Sequence, residues 1–392
     1  MRILLCPFSD PGYLYPTIAV GIELQRRGHQ VFLLGRESAQ AAATSAGLPL
    51  IPVADRGMGT MSVRLWFRRQ RDQYQTVRNV ARDLQPDLIV TSVLCHGSLL
   101  AAETLDIPAV VLGLTAHLWN YRAGAEDEPE LPTRRHWRTQ ETLRFYHNAR
   151  SEAALPACSD ATASRALLGA AFLLRGAPAF EYPGAQLPDG VHHVGPCPWE
   201  PQPDPEALGQ VERFESRSDK PLVYVHLGRS FQGVELWPRL NAAFTDTPFR
   251  AVVELGRSDE PTADPRADIL TVQLPWMAPL IQKSRLVISS ATSASVLSAL
   301  THGRPLLVGP AGSEQPLLAE ACTRAGVARH LPEDASPEIP RALAEALHDE
   351  GLHRRAQALG HSLRRAGGTT LAADHIEHAA GTRTTVPVLA AR

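Results

Sequence analysis

Cysteine is scarce in this chain: five in 392 residues, at Cys6, Cys95, Cys158, Cys197 and Cys322, with no C-x-x-C pair and no Cys/His cluster at metal-ligand spacing. That scatter suggests neither a disulfide framework nor a zinc site, and free thiols fit the cytoplasm. Charge of one sign is lacking too. Lys plus Arg number 39 and Asp plus Glu 41, a formal net charge of -2, which leaves no electrostatic footprint for nucleic acid or an anionic membrane. Long apolar runs are missing: the opening MRILLCPF is interrupted at Pro7, short of a signal sequence, and nothing approaches the ~18 apolar residues of a membrane span. Glycine-rich phosphate loops are missing as well. The loop after the first strand has only Gly12, and the corresponding loop of the second half reads GRSFQG, so a dinucleotide redox cofactor is not expected. The acidic run from Glu126 to Glu128 lies in a Pro-flanked loop and not after a strand, which gives no support to a metal-clamped diphosphate. The expected partner is a small molecule.

What is present is α/β alternation. Arg2 to Cys6 is a short apolar strand, followed by the loop PFSDPGYLYP and a helix with Ile18, Ile22 and Leu24 near a 3.6-residue period. The strands VFLLG, LPLIPV, DLIVTSV and AVVLGL follow, separated by helices around Glu37 to Ser45, Val63 to Leu84 and Ser98 to Leu105. Continuous aliphatic strands separated by helices indicate a parallel sheet covered on both faces. The second half repeats the pattern in PLVYVHLG, RAVVEL, ILTVQL, RLVISS and PLLVGP, closed by helices from Pro337 to Glu377. Five prolines between Pro196 and Pro205, then ESRSDKP, read as an interdomain linker. The division expected is an N-terminal domain over 1–200, a linker over 201–219, a second domain over 220–381 and a loose tail over 382–392. The basic stretch RLWFRRQRDQYQTVRNVAR reads as a solvated helix face rather than a nucleic-acid contact.

The chemistry concentrates in VISSATSASVLSALTHGRP, residues 287 to 305. A helix starting near Ser293 presents unpaired amides and its positive dipole end, which favour an anion, and Ser293 and Ser295 bring hydroxyls. Those hydroxyls serve equally well as helix caps in a tightly packed turn.

Taken together, these motifs resemble the family 1 glycosyltransferases of the GT-B fold, particularly the bacterial enzymes that glycosylate natural products, over nearly the whole chain. GRPLLVGPAGSEQ, residues 303 to 315, is similar to the Gly-x-Pro, Pro, Asp-Gln signature, with Gly303, Pro305, Pro310 and Gln315 in register and Glu314 in place of Asp. PGYLYPTIAVGIELQRRGHQV resembles the opening Gly-His-x-x-Pro helix and the Arg-Gly-His-x-Val that follows it. The resemblance implies two doubly wound Rossmann-like domains facing across a cleft, with the last helix crossing back to the first domain. It implies an acceptor-binding first domain and a second domain that binds a UDP- or dTDP-linked sugar. That sugar donor is a substrate, and no resident cofactor is expected. Transfer to a small natural-product acceptor is expected to be inverting and metal-independent, by a monomer or homodimer.

Two departures fall at chemical positions. Ser290, Ala291 and Thr292 stand where the family usually has a pyrophosphate-binding His and two glycines, and Tyr13 stands where it has its catalytic His. A phenol with an ordinary pKa near 10 is ionised in only about one molecule in a thousand at neutral pH, so Tyr13 suits lining the acceptor pocket better than taking a proton. His96, Asp10 and His117, on neighbouring loops, are the candidates for the base, in that order. On the donor side the resemblance puts Ser290 and the Gly228-Arg229 loop near the phosphates, the helix start adds Ser293, Ala294 and Ser295, and the Arg229 guanidinium, where the family has a small hydroxyl residue, is expected to compensate for the lost imidazole. The resemblance places Glu314 and Gln315 at the sugar hydroxyls and the Leu274 to Ala278 segment, with Trp276 and Met277, at the nucleotide base, although Trp276 fits a packed aromatic equally well. The alternative that these departures support is a catalytically silent homologue that assists an active transferase.

Overall fold

The computed structural model describes residues 1–7, 10–53, 70–129, 132–226, 240–255, 266–332 and 338–381. The chain forms two compact units. The first comprises Met1–Arg175, Pro183–Trp199 and Gly367–Arg392, and the second Gly176–Tyr182 and Glu200–Ala366.

In the first unit seven strands form one parallel sheet: β1 (Arg2–Cys6), β2 (Gln30–Arg36), β3 (Leu50–Val53), β4 (Leu88–Ser92), β5 (Ala109–Leu112), β6 (Ala171–Leu174) and β7 (Val191–His193). Their spatial order is β3-β2-β1-β4-β5-β6-β7, so the direction of winding reverses between β1 and β4. All five residues of β4, LIVTS, are buried, the signature of a strand covered on both faces. Helix Pro11–Arg26 starts at a genuine cap: the Asp10 side chain accepts from the Gly12 amide at 3.2 Å, and Pro11 occupies the first turn, where its missing N–H costs nothing.

Helix Thr369–Gly381 also belongs to this unit, the crossing back that the resemblance implies, whereas the boundaries drawn from the sequence put 220–381 in one domain. Ala372, Ala373, Ile376 and Ala379 form one stripe at helical spacing and enter the same core as Ile3, Leu5, Ile18 and Val90. Arg27 fixes the helix further, donating to Asp374 and Glu377 at 2.7 Å each and to Glu23 at 2.9 Å. The apolar stripe and the charges facing it decide the docking; position in the chain does not.

In the second unit six strands, β8 (Leu222–His226), β9 (Arg250–Glu254), β10 (Ile269–Val272), β11 (Leu286–Ser289), β12 (Leu306–Val308) and β13 (Ala328–His330), lie parallel in the order β10-β9-β8-β11-β12-β13. Here the winding reverses between β8 and β11. The stretch read as a linker over 201–219 is part of this unit. It contains helix Pro205–Glu215, N-capped by Asp204, and the fully buried Arg250 of β9 donates to the carbonyls of Phe214, Glu215 and Ser218 at 2.5, 3.0 and 3.1 Å. The tail 382–392 lies outside the described residues. Among the described residues no helix is long and apolar enough to cross a membrane.

Candidate active site

Open parallel sheets bind ligands beyond the carboxyl ends of their strands, at the point where the winding reverses. In the second unit that point lies between β8 and β11, and β11 leads directly into the Ser/Thr/Ala turn. Ala291 takes a left-handed conformation, φ 62°, and donates its amide to Ser289 Oγ at 3.0 Å, so the chain turns sharply into helix Ser293–Thr301. The hydroxyls there bond one another. Ser295 Oγ, fully buried, lies 2.6 Å from Ser289 Oγ and 2.8 Å from Thr292 Oγ1, and is 3.1 Å from the Thr292 carbonyl. Ser295 therefore ties strand to helix, as in the capping reading of these hydroxyls.

Thr292 is the N-cap residue, yet it makes no side-chain cap bond to the first-turn amides, because its hydroxyl is turned to Ser295. Asp10, Ser159, Asp204 and Asp349 do cap their helices with side-chain oxygens. Ser290, at the same turn, is buried, and its Oγ has no hydrogen-bond partner among the described residues. Ser293 is buried and Ala294 half-buried beside it.

The other implied donor residues divide. Gln315 is buried and its Oε1 accepts from the amides of Ala311 and Gly312 at 2.9 and 3.3 Å, so it pins its own loop and leaves only the amide nitrogen to donate outward. Glu314, half-buried, accepts from Ser313 Oγ at 2.6 Å. Trp276 is 2% exposed and packs as a core aromatic, the alternative that its sequence left open. Met277 precedes helix Ala278–Lys283, whose first amide, that of Ala278, donates to Glu200 Oε2 at 3.0 Å. Burial pushes the Glu200 carboxyl above its usual range. Gly228 and Arg229 lie outside the described residues.

In the first unit the reversal point lies between β1 and β4, so the loops after these strands, carrying Asp10, Tyr13 and His96, are brought to one end of the sheet. Asp10 and Tyr13 are half-buried. His96 is not on an open loop. It is the first residue of helix His96–Leu105 and is fully buried, with its ring edge-on to Tyr146 at 5.8 Å. Helix Gln70–Leu84 lies over this helix start. Gln70 Oε1 accepts from the Gly97 amide at 2.7 Å and Gln73 Oε1 from the Ser98 amide at 3.3 Å, so side chains plug this helix mouth. The helix read as a solvated basic face thus buries Tyr74, Val77 and Ala81; residues 54–69 upstream lie outside the described residues.

Burial lowers the His96 pKa to about 3. His117 behaves alike: 1% exposed, packed among Trp119, Tyr121 and Phe172, its Nε2 3.2 Å from the Asn120 carbonyl, its pKa lowered to about 3 by burial and then by the Arg135 charge. Such imidazoles stay neutral at pH 7 but are weak proton acceptors, far from the match to operating pH that base catalysis favours. Asp10 is the most open of the three candidates.

Sequence reasoning passed over a polar cluster in the second unit. His226 Nδ1 lies 3.3 Å from Glu254 Oε2 at the carboxyl ends of β8 and β9, beside the buried Tyr224, and Glu200 is close enough to add to the field on the Tyr224 hydroxyl. The only available signal was a histidine and a glutamate ending two strands otherwise aliphatic. Among the described residues no group of three or more His, Cys, Asp or Glu side chains is placed to hold a metal ion.

Two doubly wound parallel-sheet units of this kind define the GT-B class of glycosyltransferases. No protein-family profile matches the chain. The NDP-glycosyltransferase YjiC of Bacillus subtilis (strain 168) is 24% identical over 391 residues, spanning 93% of this chain and 94% of the relative. Among solved structures, the glycotransferase of kitacinnamycin superposes with a TM-score of 0.76 at 20% identity over 96% of this chain and 98% of its own. CalG4, the calicheamicin glycosyltransferase, gives 0.72 at 21% identity over 97% and 98%. These findings bear out the GT-B fold and the resemblance to the family 1 glycosyltransferases.

Proposed function

We propose that this chain transfers a sugar, with inversion and without a metal ion, from a UDP- or dTDP-linked donor to a small natural-product acceptor. That it is a nucleotide-sugar glycosyltransferase of the natural-product type rests on its full-length relative and its structural neighbours. The observation that supports the finer reading is the start of helix Ser293–Thr301, whose N-cap Thr292 makes no side-chain cap bond, beside the reversal point of its sheet. First-turn amides and the dipole end favour a departing diphosphate, the charge that develops as the glycosidic bond breaks. Stabilising that charge with fixed backbone donors lowers the barrier without a cation.

The acceptor hydroxyl must lose a proton as it attacks, and Asp10 is the base we assign. Its carboxylate is half-open and held in place by the Gly12 amide. Tyr13, one turn along the same helix, lines the acceptor side.

Calorimetry with UDP and dTDP, combined with turnover on an acceptor panel, tests this reading. Tight diphosphate binding by the wild type, with Asp10→Asn lowering kcat by about 10²–10⁴ at unchanged UDP affinity, is the expected result. A wild type that binds neither diphosphate fits a silent auxiliary homologue instead.

A further inference from the structure

We infer that Arg285, Arg304 and His353 form a binding site for a compact phosphate-type oxyanion at the amino end of the second unit's sheet, the end opposite the donor turn. The inference goes beyond the donor reading and does not depend on it. Arg285 stands just before β11 and Arg304 just before β12, each two residues ahead of the in-register pair Val287 and Leu306. Parallel strands that start in step bring the residues before them side by side. Arg304 is fixed there: its Nη2 donates at 2.6 Å to the carbonyl of Gln282, in the last turn of the helix that leads to Arg285. His353 comes from helix Glu350–Arg364, which packs on helix Ser293–Thr301. One turn beyond His353, Gln357 lies against Gly303, the residue before Arg304, so closely that a Cβ there would stand 3.1 Å from Gln357 Cγ. The carbonyls of Ala346 and Leu347 hold the imidazole.

What this cluster lacks is a counter-charge. A carbonyl holds the Arg304 guanidinium without neutralising it, and the exposed Arg285 side chain meets no carboxylate among the described residues. Neighbouring cations are matched: Lys283 by Glu215 at 2.6 Å and Glu212 at 3.9 Å, Arg354 by Glu350 at 3.4 Å. Burial and then the Arg285 charge lower the Arg304 pKa, and burial, Arg285 and Arg304 lower that of His353, so the charges that act on both are positive. Two polar atoms are unmet as well. Arg304 Nε and His353 Nε2 are buried without a hydrogen-bond partner among the described residues, a condition normally met by water or ligand. Guanidinium forks match phosphate geometry, and two of them beside an imidazole suit one dianion better than an extended polyanion, because the cations next along the chain are already paired. A bound dianion offsets the like charges on the ring, so His353 gains a proton as the anion binds.

The test titrates the full chain with inorganic phosphate by calorimetry, with and without UDP. The wild type is expected to bind one phosphate in both cases. Arg285→Gln and Arg304→Gln are each expected to weaken it roughly tenfold to a hundredfold, the effect of losing one charge-assisted bond, with UDP affinity unchanged. Should Arg304→Gln fail to fold, Arg285→Gln, at an exposed position, decides alone. Histidine-observed NMR localises the anion: sulfate, which does not itself titrate near neutrality, is expected to raise the titration midpoint of His353 in the wild type and much less in Arg285→Gln. A wild type that binds no phosphate, an Arg285→Gln variant that binds it equally well, or a His353 midpoint that sulfate leaves in place overturns the inference. So does displacement of the phosphate by UDP, which puts it at the donor turn, and so does binding of a DNA duplex where phosphate fails. A wild type that binds phosphate but neither UDP nor dTDP overturns the proposed function and leaves this inference standing.

Discussion

Thr292 directs its hydroxyl to Ser295, 2.8 Å away, and not to the amides of the helix that it precedes. The anion-binding role proposed for the turn depends on that choice, since a threonine at this position normally caps. Ser295→Ala removes the competitor. The variant loses up to three contacts of a buried hydroxyl, a cost of about 1–3 kcal/mol, partly offset by about 1 kcal/mol if Thr292 swings back to cap. Urea denaturation is expected to show the net loss, and UDP affinity is expected to fall several-fold because the cap now occupies the amides. Unchanged UDP affinity would remove the helix mouth from the donor site.

Ala291 carries strain of a different kind. An alanine at φ 62° sits in the left-handed region that glycine tolerates and side chains resist, and its Cβ is fully buried. Ala291→Gly relieves about 1–2 kcal/mol of steric cost but returns part of it as entropy of the unfolded chain. A net stabilisation of roughly 0.5–1 kcal/mol, visible as a higher melting temperature, is the expected outcome. Ala291→Val, branched at Cβ, is expected to destabilise by about 2 kcal/mol or more. A melting temperature that drops for the glycine variant would contradict the backbone geometry of the turn.

Arg250 holds the Pro-rich approach to the second unit. Its guanidinium meets three backbone carbonyls and lies 4.1 Å from the centre of the Phe214 ring. Replacement by Met keeps the apolar stem but strands those carbonyls in a buried setting, for an expected cost of about 3–5 kcal/mol in chemical denaturation. If residues 201–219 formed a free linker, the cost would stay below about 1 kcal/mol.

The arginine also shows where the sequence ceases to be legible. Aliphatic runs such as LIVTS and RLVISS announce buried parallel strands because burial on both faces leaves no room for polar alternation, and both sheets follow. Proline density, by contrast, reports backbone preference and says nothing of a partner arginine on β9. His96 looked accessible because it follows a strand, yet the helix that covers it comes from Gln70–Leu84, and its Gln70 and Gln73 read as solvated polar residues. The His226–Glu254 pair was hidden for a related reason: each residue is unremarkable in its own strand, and only register brings them together. The aliphatic run and the small residues after it marked a strand-to-helix junction, and the structure has one between Ser289 and Ser293. The sequence did not reveal that Ser295 and Gln315 point their polar atoms at their own backbone or neighbouring hydroxyls.

Buried imidazoles make a pH prediction with a definite sign. Burial lowers both His96 and His117 to about 3, whereas in the unfolded chain an imidazole titrates near 6.5. Between those values the unfolded state holds protons that the folded state does not, so unfolding becomes more favourable as pH falls. Stability is complete above about pH 6.5 and is lost on acidification, at up to about 1.4 kcal/mol per pH unit for each histidine. His192, His353 and His375 are lowered as well and add in the same direction. Paired carboxylates such as Glu23, lowered to about 2, contribute only below about pH 4.5, while Glu200, raised by burial, acts above its ordinary range in the sense opposite to the imidazoles. Urea denaturation at pH 7, 6 and 5 is expected to show this decline in the wild type. His96→Leu, which fills the same apolar site with a group that does not titrate, is expected to show a shallower one, by up to about 1.4 kcal/mol per pH unit. Equal slopes for the two proteins would mean that His96 gains a proton in the folded state near pH 6, restoring it as a candidate base.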